Sequence, residues 1–259
     1  MPFAQLPDAR LHYEWAGPEK APVVLFSNSL GATLQMWDPQ IAEFTRHFRV
    51  LRYDTRGHGQ SSVTPGPYNI EQLSGDVLHL LDALKLQQVY FCGLSMGGMT
   101  GMFLGAHSPA RFHKLVLCNT APRIGTPETW NTRISAANKA GMNSIASAVI
   151  ERWLSSAYRE GHPAETAALQ SMVESAIPEG YVANCAAVRD SDQTNNLKAM
   201  NVPTLVVSGT HDPVATPADG RFLAEHIPGA SFTVLPAAHL SNVEAQDQFN
   251  REVLQFLRA

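Results

Sequence analysis

The stretch that decides the fold reads VYFC and then GLSMG, from residue 89 to residue 97. The apolar run Val89–Cys92 predicts a buried strand, and the small residues after Met96 predict a helix that Pro109 ends. A serine in a G-x-S-x-G pattern between a strand and a helix occupies a sharp, strained turn that lifts its hydroxyl above the sheet. The flanking glycines leave room for the neighbouring backbone. We therefore predict that Ser95 is a nucleophile at the edge of a sheet.

Short apolar runs alternate with helical patterns on both sides of this stretch. After an N-terminal hairpin, the runs are apolar on both faces, as strands buried between helices are. This alternation predicts the α/β class, with a mostly parallel twisted sheet flanked by helices. The predicted strands are Phe3–Leu6, Ala9–Ala16, Val23–Phe26, Arg49–Tyr53, Val89–Cys92, Lys114–Cys118, Thr204–Ser208 and Ser231–Leu235. The predicted helices are Trp37–His47, Ile70–Leu84, Met96–His107, Pro217–His226 and Val243–Leu257.

The alternation stops between residues 122 and 199. This segment has no β-rich run but many alanines at helical spacing, and glycines and prolines divide it. We expect three or four short helices that form a lid over the site. Residues 1–121 and 200–259 would then form the α/β core, and residues 122–199 an inserted helical cap. The alternative is that these helices only cover the flank of the sheet.

A serine nucleophile needs a base, and the base needs a carboxylate that orients it. Asp212 follows the strand that ends at Ser208, and His239 follows the strand that ends at Leu235. The chain order of serine, acid and histidine is the one typical of this kind of elbow. Because the carboxyl ends of parallel strands lie at one edge of a sheet, we predict a catalytic triad of Ser95, Asp212 and His239.

Other residues are weaker candidates for these roles. His211 adjoins the acid and should point away from it, whereas His58 lies in a glycine-containing loop and is expected to pack there. Asp190 and Asp219 do not follow a strand, which makes them poor alternatives for the acid. Since the sequence contains no pattern typical of metal ligands, we expect neither a metal nor another cofactor.

Acyl transfer also needs hydrogen-bond donors for the oxyanion that develops. The backbone N–H of Met96, at the start of the predicted helix, is one candidate. The loop after the strand Val23–Phe26 reads SNSLG, and its alignment with the His-Gly-x-Gly pattern usual in this position nominates the N–H of Leu30. The alternative is an ordinary polar turn.

The composition restricts the partners. The 259 residues carry a formal net charge of −4, so nothing indicates nucleic-acid binding. No apolar stretch is long enough to span a membrane, and the N-terminus does not resemble a secretory signal. The three cysteines are an odd number without metal-ligand spacing, which suits a reducing cytoplasm. We expect a cytoplasmic protein that acts on a small molecule, and the oligomeric state stays open.

Four segments carry a family resemblance: LFSNSLG at 25–31, MWDPQ at 36–40, YDTRGHGQSS at 53–62 and GLSMGGM at 93–99. In these segments the chain resembles the α/β-hydrolase superfamily. The first two segments are typical of a smaller group and resemble the 3-oxoadipate enol-lactonases of bacterial aromatic catabolism. The resemblance implies an enzyme that opens a five-membered enol-lactone bearing a carboxylate, which yields 3-oxoadipate in the β-ketoadipate pathway.

The carboxylate of that implied substrate requires a cation, and the planar fork of arginine suits it. Trp130 and Arg133 are three residues apart on a predicted cap helix, hence on one face, and Trp153 on the next helix could wall the pocket. We expect Arg133 to bind the carboxylate, with Arg152 and Arg189 as alternatives. Arg133 could instead be a solvated or ion-paired surface residue.

Other functions remain open at this point. The main alternatives are a carboxylesterase of broad substrate range and a C–C bond hydrolase of ring-cleavage products. A haloalkane dehalogenase or an epoxide hydrolase would need an aspartate in place of Ser95. A ligand-binding protein on the same fold would not need the complete set of Ser95, Asp212 and His239.

Overall fold

One eight-stranded sheet organises the protein in the computed structural model, which describes residues 2–259. The first two strands form an antiparallel hairpin, β2 also pairs antiparallel with β4, and all further neighbours are parallel. The order across the sheet is β1-β2-β4-β3-β5-β6-β7-β8. The predicted α/β class is therefore confirmed. The strands are β1 Phe3–Gln5, β2 Arg10–Ala16, β3 Val23–Ser27, β4 Arg49–Tyr53, β5 Val89–Leu94, β6 Phe112–Cys118, β7 Thr204–Gly209 and β8 Ser231–Leu235.

Eleven α-helices lie within residues 2–259. They are α1 Asp38–Phe44, α2 Ile70–Ala83, α3 Met96–His107, α4 Pro127–Ala140, α5 Asn143–Trp153, α6 Ser156–Gly161, α7 Pro163–Glu174, α8 Pro178–Arg189, α9 Pro217–His226, α10 Ser241–Glu244 and α11 Gln246–Arg258. Short 3₁₀ helices cover Leu34–Trp37, Pro109–Arg111 and Thr194–Ala199. None of the helices in this part of the chain is both long and apolar enough to cross a membrane.

The central strands are buried on both faces, which explains their continuous apolar sequences. Val24, Leu25 and Phe26 of β3 have no exposed surface. Helix α3 packs directly on the sheet because it carries glycines where a larger residue would collide. A Cβ atom at Gly101 would lie 2.7 Å from the ring of Phe91. The close packing of α3 on β5 holds the turn between them in place.

Two predicted helices differ clearly from the structure, and the prediction Ile70–Leu84 is one residue too long. The prediction Val243–Leu257 was wrong as a single helix, because α10 and α11 are separated at Ala245, whose φ of −116° and ψ of 43° are not helical. The prediction Trp37–His47 was too long. A 3₁₀ turn precedes α1 there, and α1 ends at Phe44.

The segment from 122 to 199 contains five α-helices, α4 to α8, rather than three or four. Prolines at the first turns of α4, α7 and α8 divide the segment, as expected from the preference of proline for this position. The segment leaves the sheet after β6 and returns to it before the neighbouring strand β7. It is thus an insertion between two paired strands, and its role as a cap remains an interpretation.

Candidate active site

Ser95 lies between β5 and α3 in a backbone conformation that is rare for a residue with a side chain. Its φ is 58° and its ψ is −113°. Its N–H donates to the carbonyl of Cys118 at 2.9 Å, and its own carbonyl accepts from Oγ1 of Thr120 at 2.8 Å. Strained backbone of this kind persists only where surrounding contacts hold it. These contacts with the end of β6 fix the elbow.

The two glycines of the elbow are required by close contacts. A Cβ atom at Gly93 would lie 2.2 Å from the carbonyl oxygen of Gly97, and one at Gly97 would lie 2.3 Å from that of Ser27. Gly97 also donates its N–H to the carbonyl of Asn28 at 3.0 Å. The start of α3 is therefore joined to the loop that follows β3.

Asp212 and His239 form a buried pair. Nδ1 of His239 lies 2.9 Å from Oδ2 of Asp212, and both side chains are almost completely buried. The same Oδ2 accepts from Nδ2 of Asn119 at 2.9 Å. The other oxygen, Oδ1, accepts the backbone N–H groups of Val214 at 2.8 Å and Ala215 at 3.1 Å. Both oxygens of the carboxylate thus accept hydrogen bonds.

These donors keep Asp212 ionised. Burial by itself raises the pKa of Asp212, but attraction to His239 and the hydrogen bonds from His239, Asn119 and Val214 outweigh it and hold this pKa below its usual value. Because an ionised carboxylate can only accept, Nδ1 of His239 carries the proton of the shared hydrogen bond. Nε2 of a neutral His239 is then free to accept a proton.

Sequence reasoning missed Asn119. This residue directly follows β6 and has a φ of 46°, which asparagine tolerates better than most residues. Its amide nitrogen also donates to the carbonyl of Ala238 at 3.2 Å, and its amide oxygen accepts from Oγ of Ser241 at 2.5 Å. Asn119 therefore contacts both the acid and the histidine loop. Its position after a strand at the same sheet edge was the available signal.

A cavity of about 250 Å³ brings the predicted residues together. The core contributes Ser95 and His239 to its wall, and the segment 122–199 contributes two tryptophans and two arginines. The full lining is Ser29, Leu30, Ser95, Ile124, Gly125, Thr129, Trp130, Arg133, Arg152, Trp153, Val188, Pro213, Val214 and His239. A larger and more open groove of about 710 Å³ lies elsewhere and contains neither Ser95 nor His239.

The hydroxyl of Ser95 and the imidazole of His239 are not hydrogen-bonded to each other in the structure. Within residues 2–259 the hydroxyl of Ser95 forms no direct hydrogen bond, although both residues line the same cavity. Catalytic hydrogen bonds of this type are often long without substrate and shorten in the complex. Ser95 and His239 thus lie on one cavity wall with Asp212 behind His239, which is the arrangement that the predicted roles of nucleophile, base and acid require.

The backbone N–H groups of the loop after β3 have different environments. The N–H of Ser29 approaches Sδ of Met36 at 3.3 Å, and the N–H of Gly31 donates to Nε2 of His58 at 2.8 Å. Between them, the N–H of Leu30 has no acceptor within the described chain, and the same holds for the N–H of Met96 at the start of α3. These are the two donors that the sequence nominates for the oxyanion.

His58 has a more specific environment than the expected loop packing. Burial lowers its pKa to about 4, against a smaller opposite effect of its hydrogen bond to the backbone of Arg56 and the charge of Asp54. The imidazole is therefore neutral near pH 7, and its Nε2 can accept from Gly31. His58 thus holds the residue next to Leu30. The other weak candidate for the base, His211, is exposed.

Two arginines at the cavity have no ionic partner. Arg133 and Arg152 are half-buried, and neither forms an ion pair or a hydrogen bond within residues 2–259. The guanidinium of Arg133 lies 4.9 Å from the ring centroid of Trp130. Burial and the positive charge of Arg133 lower the pKa of Arg152. In contrast, Arg189 is ion-paired with Asp190 at 2.7 Å and does not line the cavity.

Comparison with known proteins defines the class. The family described as "alpha/beta hydrolase fold" matches residues 22–246. The chain therefore belongs to the α/β-hydrolase family, and the expectation of a hydrolytic enzyme is confirmed.

Within that family, the chain is similar to the 3-oxoadipate enol-lactonases, as its sequence motifs indicate. It is 42% identical to 3-oxoadipate enol-lactonase 2 of Acinetobacter baylyi over 95% of this chain and 92% of that protein. It is 40% identical to 3-oxoadipate enol-lactonase 1 of the same organism over 90% of this chain and 87% of that protein. The crystal structure of the enol-lactonase from Burkholderia xenovorans LB400 superposes with a TM-score of 0.98 at 47% identity, over the full length of both chains.

Proposed function

We propose that this protein is a serine hydrolase that opens 3-oxoadipate enol-lactone to 3-oxoadipate. The observation that carries the proposal is the joint cavity of Ser95, His239, Arg133 and Arg152. It combines the groups for attack on an ester carbonyl with two arginines that form no ion pair within the described residues. The names of the relatives point to the same substrate.

The first half of the reaction forms an acyl-enzyme. His239 removes the proton of the Ser95 hydroxyl through Nε2, and the oxygen of Ser95 attacks the lactone carbonyl. The N–H groups of Leu30 and Met96 donate to the oxyanion, and Asp212 stabilises the imidazolium. Collapse of the tetrahedral intermediate breaks the ring C–O bond. The leaving group is an enolate, which takes the proton from His239 and becomes the more stable ketone.

The second half releases the product. His239 removes a proton from a water molecule, which attacks the acyl group on Ser95. The protonated His239 then returns the proton to the oxygen of Ser95 as the ester bond breaks. The net change is the addition of one water to the lactone, and the chemistry requires no metal or cofactor.

The two arginines would bind the carboxylate that is not part of the ring. Arginine forms short, charge-assisted hydrogen bonds with carboxylates, and these are strongest where water is partly excluded. Trp130 and Trp153 would provide the apolar walls beside them. Arg133, the residue expected from the sequence, and Arg152 both line the cavity, which supports this role for them, whereas Arg189 is ion-paired with Asp190.

We infer that the two parts of the chain have different roles. Residues 1–121 and 200–259 form the catalytic core, and residues 122–199 form a cap that supplies substrate contacts. We also infer that the enzyme works in the cytoplasm, in the β-ketoadipate pathway of aromatic catabolism. The three cysteines, which are buried and free, suit that reducing setting.

A direct assay tests whether the enol-lactone is the substrate. The enol-lactone is generated in situ, and its loss is followed by absorbance beside muconolactone isomers and p-nitrophenyl acetate. We expect kcat/KM for the enol-lactone to exceed that for the neutral ester by about a hundredfold or more, which corresponds to a difference of about 3 kcal/mol in transition-state stabilisation. Comparable values for both would indicate a broad carboxylesterase, and no turnover of any ester would indicate a binding protein.

A further inference from the structure

The backbone on both sides of His239 is bound to groups outside its own loop. The N–H of Ala238 donates to Oε2 of Glu244 at 3.0 Å. The N–H of Leu240 donates to the carbonyl of Trp153 at 2.9 Å. His239 is therefore held from both neighbours, once by a side chain and once by the segment 122–199.

Glu244 connects the same two parts of the molecule. Its Oε2 also accepts the N–H of Ser155 at 3.1 Å, and its Oε1 accepts the hydroxyl of Ser155. A single half-buried carboxylate thus binds the residue before His239 and the residue two positions after Trp153. Since Trp153 lines the cavity, the wall of the cavity and the histidine loop share one anchor.

The local helix geometry does not account for this arrangement. Ser155 caps α6, because its side chain accepts the N–H of Tyr158 at 3.2 Å, and this contact needs no carboxylate. Glu244 is the last residue of α10 and precedes the break at Ala245. The side chain of Glu244 forms its hydrogen bonds outside its own helix, with Ala238 and Ser155.

We propose that Glu244 is a positioning residue for the reaction, which holds His239 in register with the part of the cavity formed by Trp153 and its neighbour Arg152. It touches neither substrate nor reacting atoms and acts through Ala238. The proposal rests on the proposed role of His239 as the base. It does not depend on which ester is the substrate.

Two variants separate this role from general stability. Glu244→Ala leaves the N–H groups of Ala238 and Ser155 without their acceptor. Glu244→Gln is isosteric: its amide oxygen can accept both N–H groups, and its amide nitrogen can donate to the hydroxyl of Ser155. Glu225→Ala, an exposed glutamate on α9, is the matched control.

The first measurement is the rate of inactivation by a fluorophosphonate, which phosphonylates Ser95 only when His239 activates it. The second is kcat and KM for p-nitrophenyl acetate and for the enol-lactone, on protein shown to be folded by thermal melting. For Glu244→Ala we expect the phosphonylation rate and kcat to fall at least tenfold, with KM within threefold of the wild type. Glu244→Gln should lie within threefold of the wild type in every constant, and Glu225→Ala should be unchanged.

The proposal is overturned if folded Glu244→Ala is phosphonylated within twofold of the wild-type rate, or if only its KM changes. Should Glu244→Ala not fold, Ser155→Ala removes one of the three donors and gives the same test. We then expect a loss of about threefold in phosphonylation rate, and an unchanged rate overturns the proposal. A wild-type protein that reacts with the fluorophosphonate but does not open the enol-lactone would refute the proposed substrate and leave the role of Glu244 open to the same measurement.

Discussion

The side-chain amide of Asn119 lies 2.9 Å from Oδ2 of Asp212, the same oxygen that binds the imidazole of His239. Asn119 therefore helps to decide where the carboxylate points and how strongly it is ionised. Its second contact, with the carbonyl of Ala238, extends that influence to the histidine loop.

Replacement of this amide should impair catalysis without removing any group of the triad. For Asn119→Ala we expect kcat to fall about tenfold, because a hydrogen bond to a charged group contributes about 1.5–3 kcal/mol and part of it orients Asp212 in the transition state. Steady-state hydrolysis of p-nitrophenyl acetate, with thermal melting to verify the fold, measures the effect. A kcat equal to that of the wild type would show that the backbone donors of Val214 and Ala215 suffice.

The nucleophile is tested by Ser95→Ala. Because the attacking oxygen is removed, we expect kcat to fall by at least about a thousandfold, as removal of a nucleophilic serine normally does. Ser29→Ala is the matched control, since Ser29 is a second serine on the wall of the same cavity. It should keep kcat within tenfold. A loss of less than a hundredfold in Ser95→Ala would contradict a covalent mechanism at Ser95.

Replacement of either arginine at the cavity should raise KM for a charged substrate but not for a neutral one. For Arg133→Ala and Arg152→Ala we expect KM for the enol-lactone to rise about tenfold or more, since each removes a charge-assisted hydrogen bond to the carboxylate. KM for p-nitrophenyl acetate should change less than threefold. Arg189→Ala, which removes a surface ion pair with Asp190 and a hydrogen bond to Oδ1 of Asn131, serves as the control. Equal changes for both substrates would remove that arginine from the carboxylate site.

The buried His58 predicts a pH dependence of stability. In the folded state its pKa is about 4, whereas the unfolded chain has the ordinary value of 6.5. The unfolded state therefore binds a proton first as the pH falls. The contribution of His58 is fully present above pH 6.5 and is lost progressively between pH 6.5 and about pH 4, by up to about 3 kcal/mol in the free energy of unfolding.

Urea unfolding at pH 7.5, 6.0 and 5.0 measures this dependence. In His58→Gln, whose amide oxygen can accept the N–H of Gly31, the decrease between pH 7.5 and pH 5.0 should be clearly smaller than in the wild type. His47→Gln, at an exposed position after α1, should behave like the wild type. Parallel curves for the wild type and His58→Gln would refute a neutral His58 in the folded protein.

Much of the fold could be predicted because the strands of the central sheet are buried on both faces and leave continuous apolar runs in the sequence. Each predicted triad residue directly follows such a run or its short turn, and a parallel sheet brings these positions to one edge. Ser95, Asp212 and His239 could therefore be nominated without coordinates. The structure places Ser95 and His239 on one cavity wall and Asp212 behind His239.

The supporting residues could not be predicted in the same way. The interaction of His58 is with a backbone N–H in another loop, and the type of residue at position 31 does not reveal that contact. Asparagine after a strand, as at position 119, is common in ordinary turns. The break between α10 and α11 falls on Ala245, a strong helix former, so local preference predicts no interruption there.

The two hydrogen bonds that flank His239 restrict how the segment between β6 and β7 can be exchanged in engineered variants. The segment between β6 and β7 is inserted between paired strands, which invites exchange with segments from relatives to obtain new substrate ranges. A transplanted segment would have to reproduce the carbonyl at position 153 and the donors at position 155, or be accompanied by a redesigned residue 244. In chimeras built without this match, we expect His239 to lose its native position beside Ser95, whatever substrate the new cavity binds.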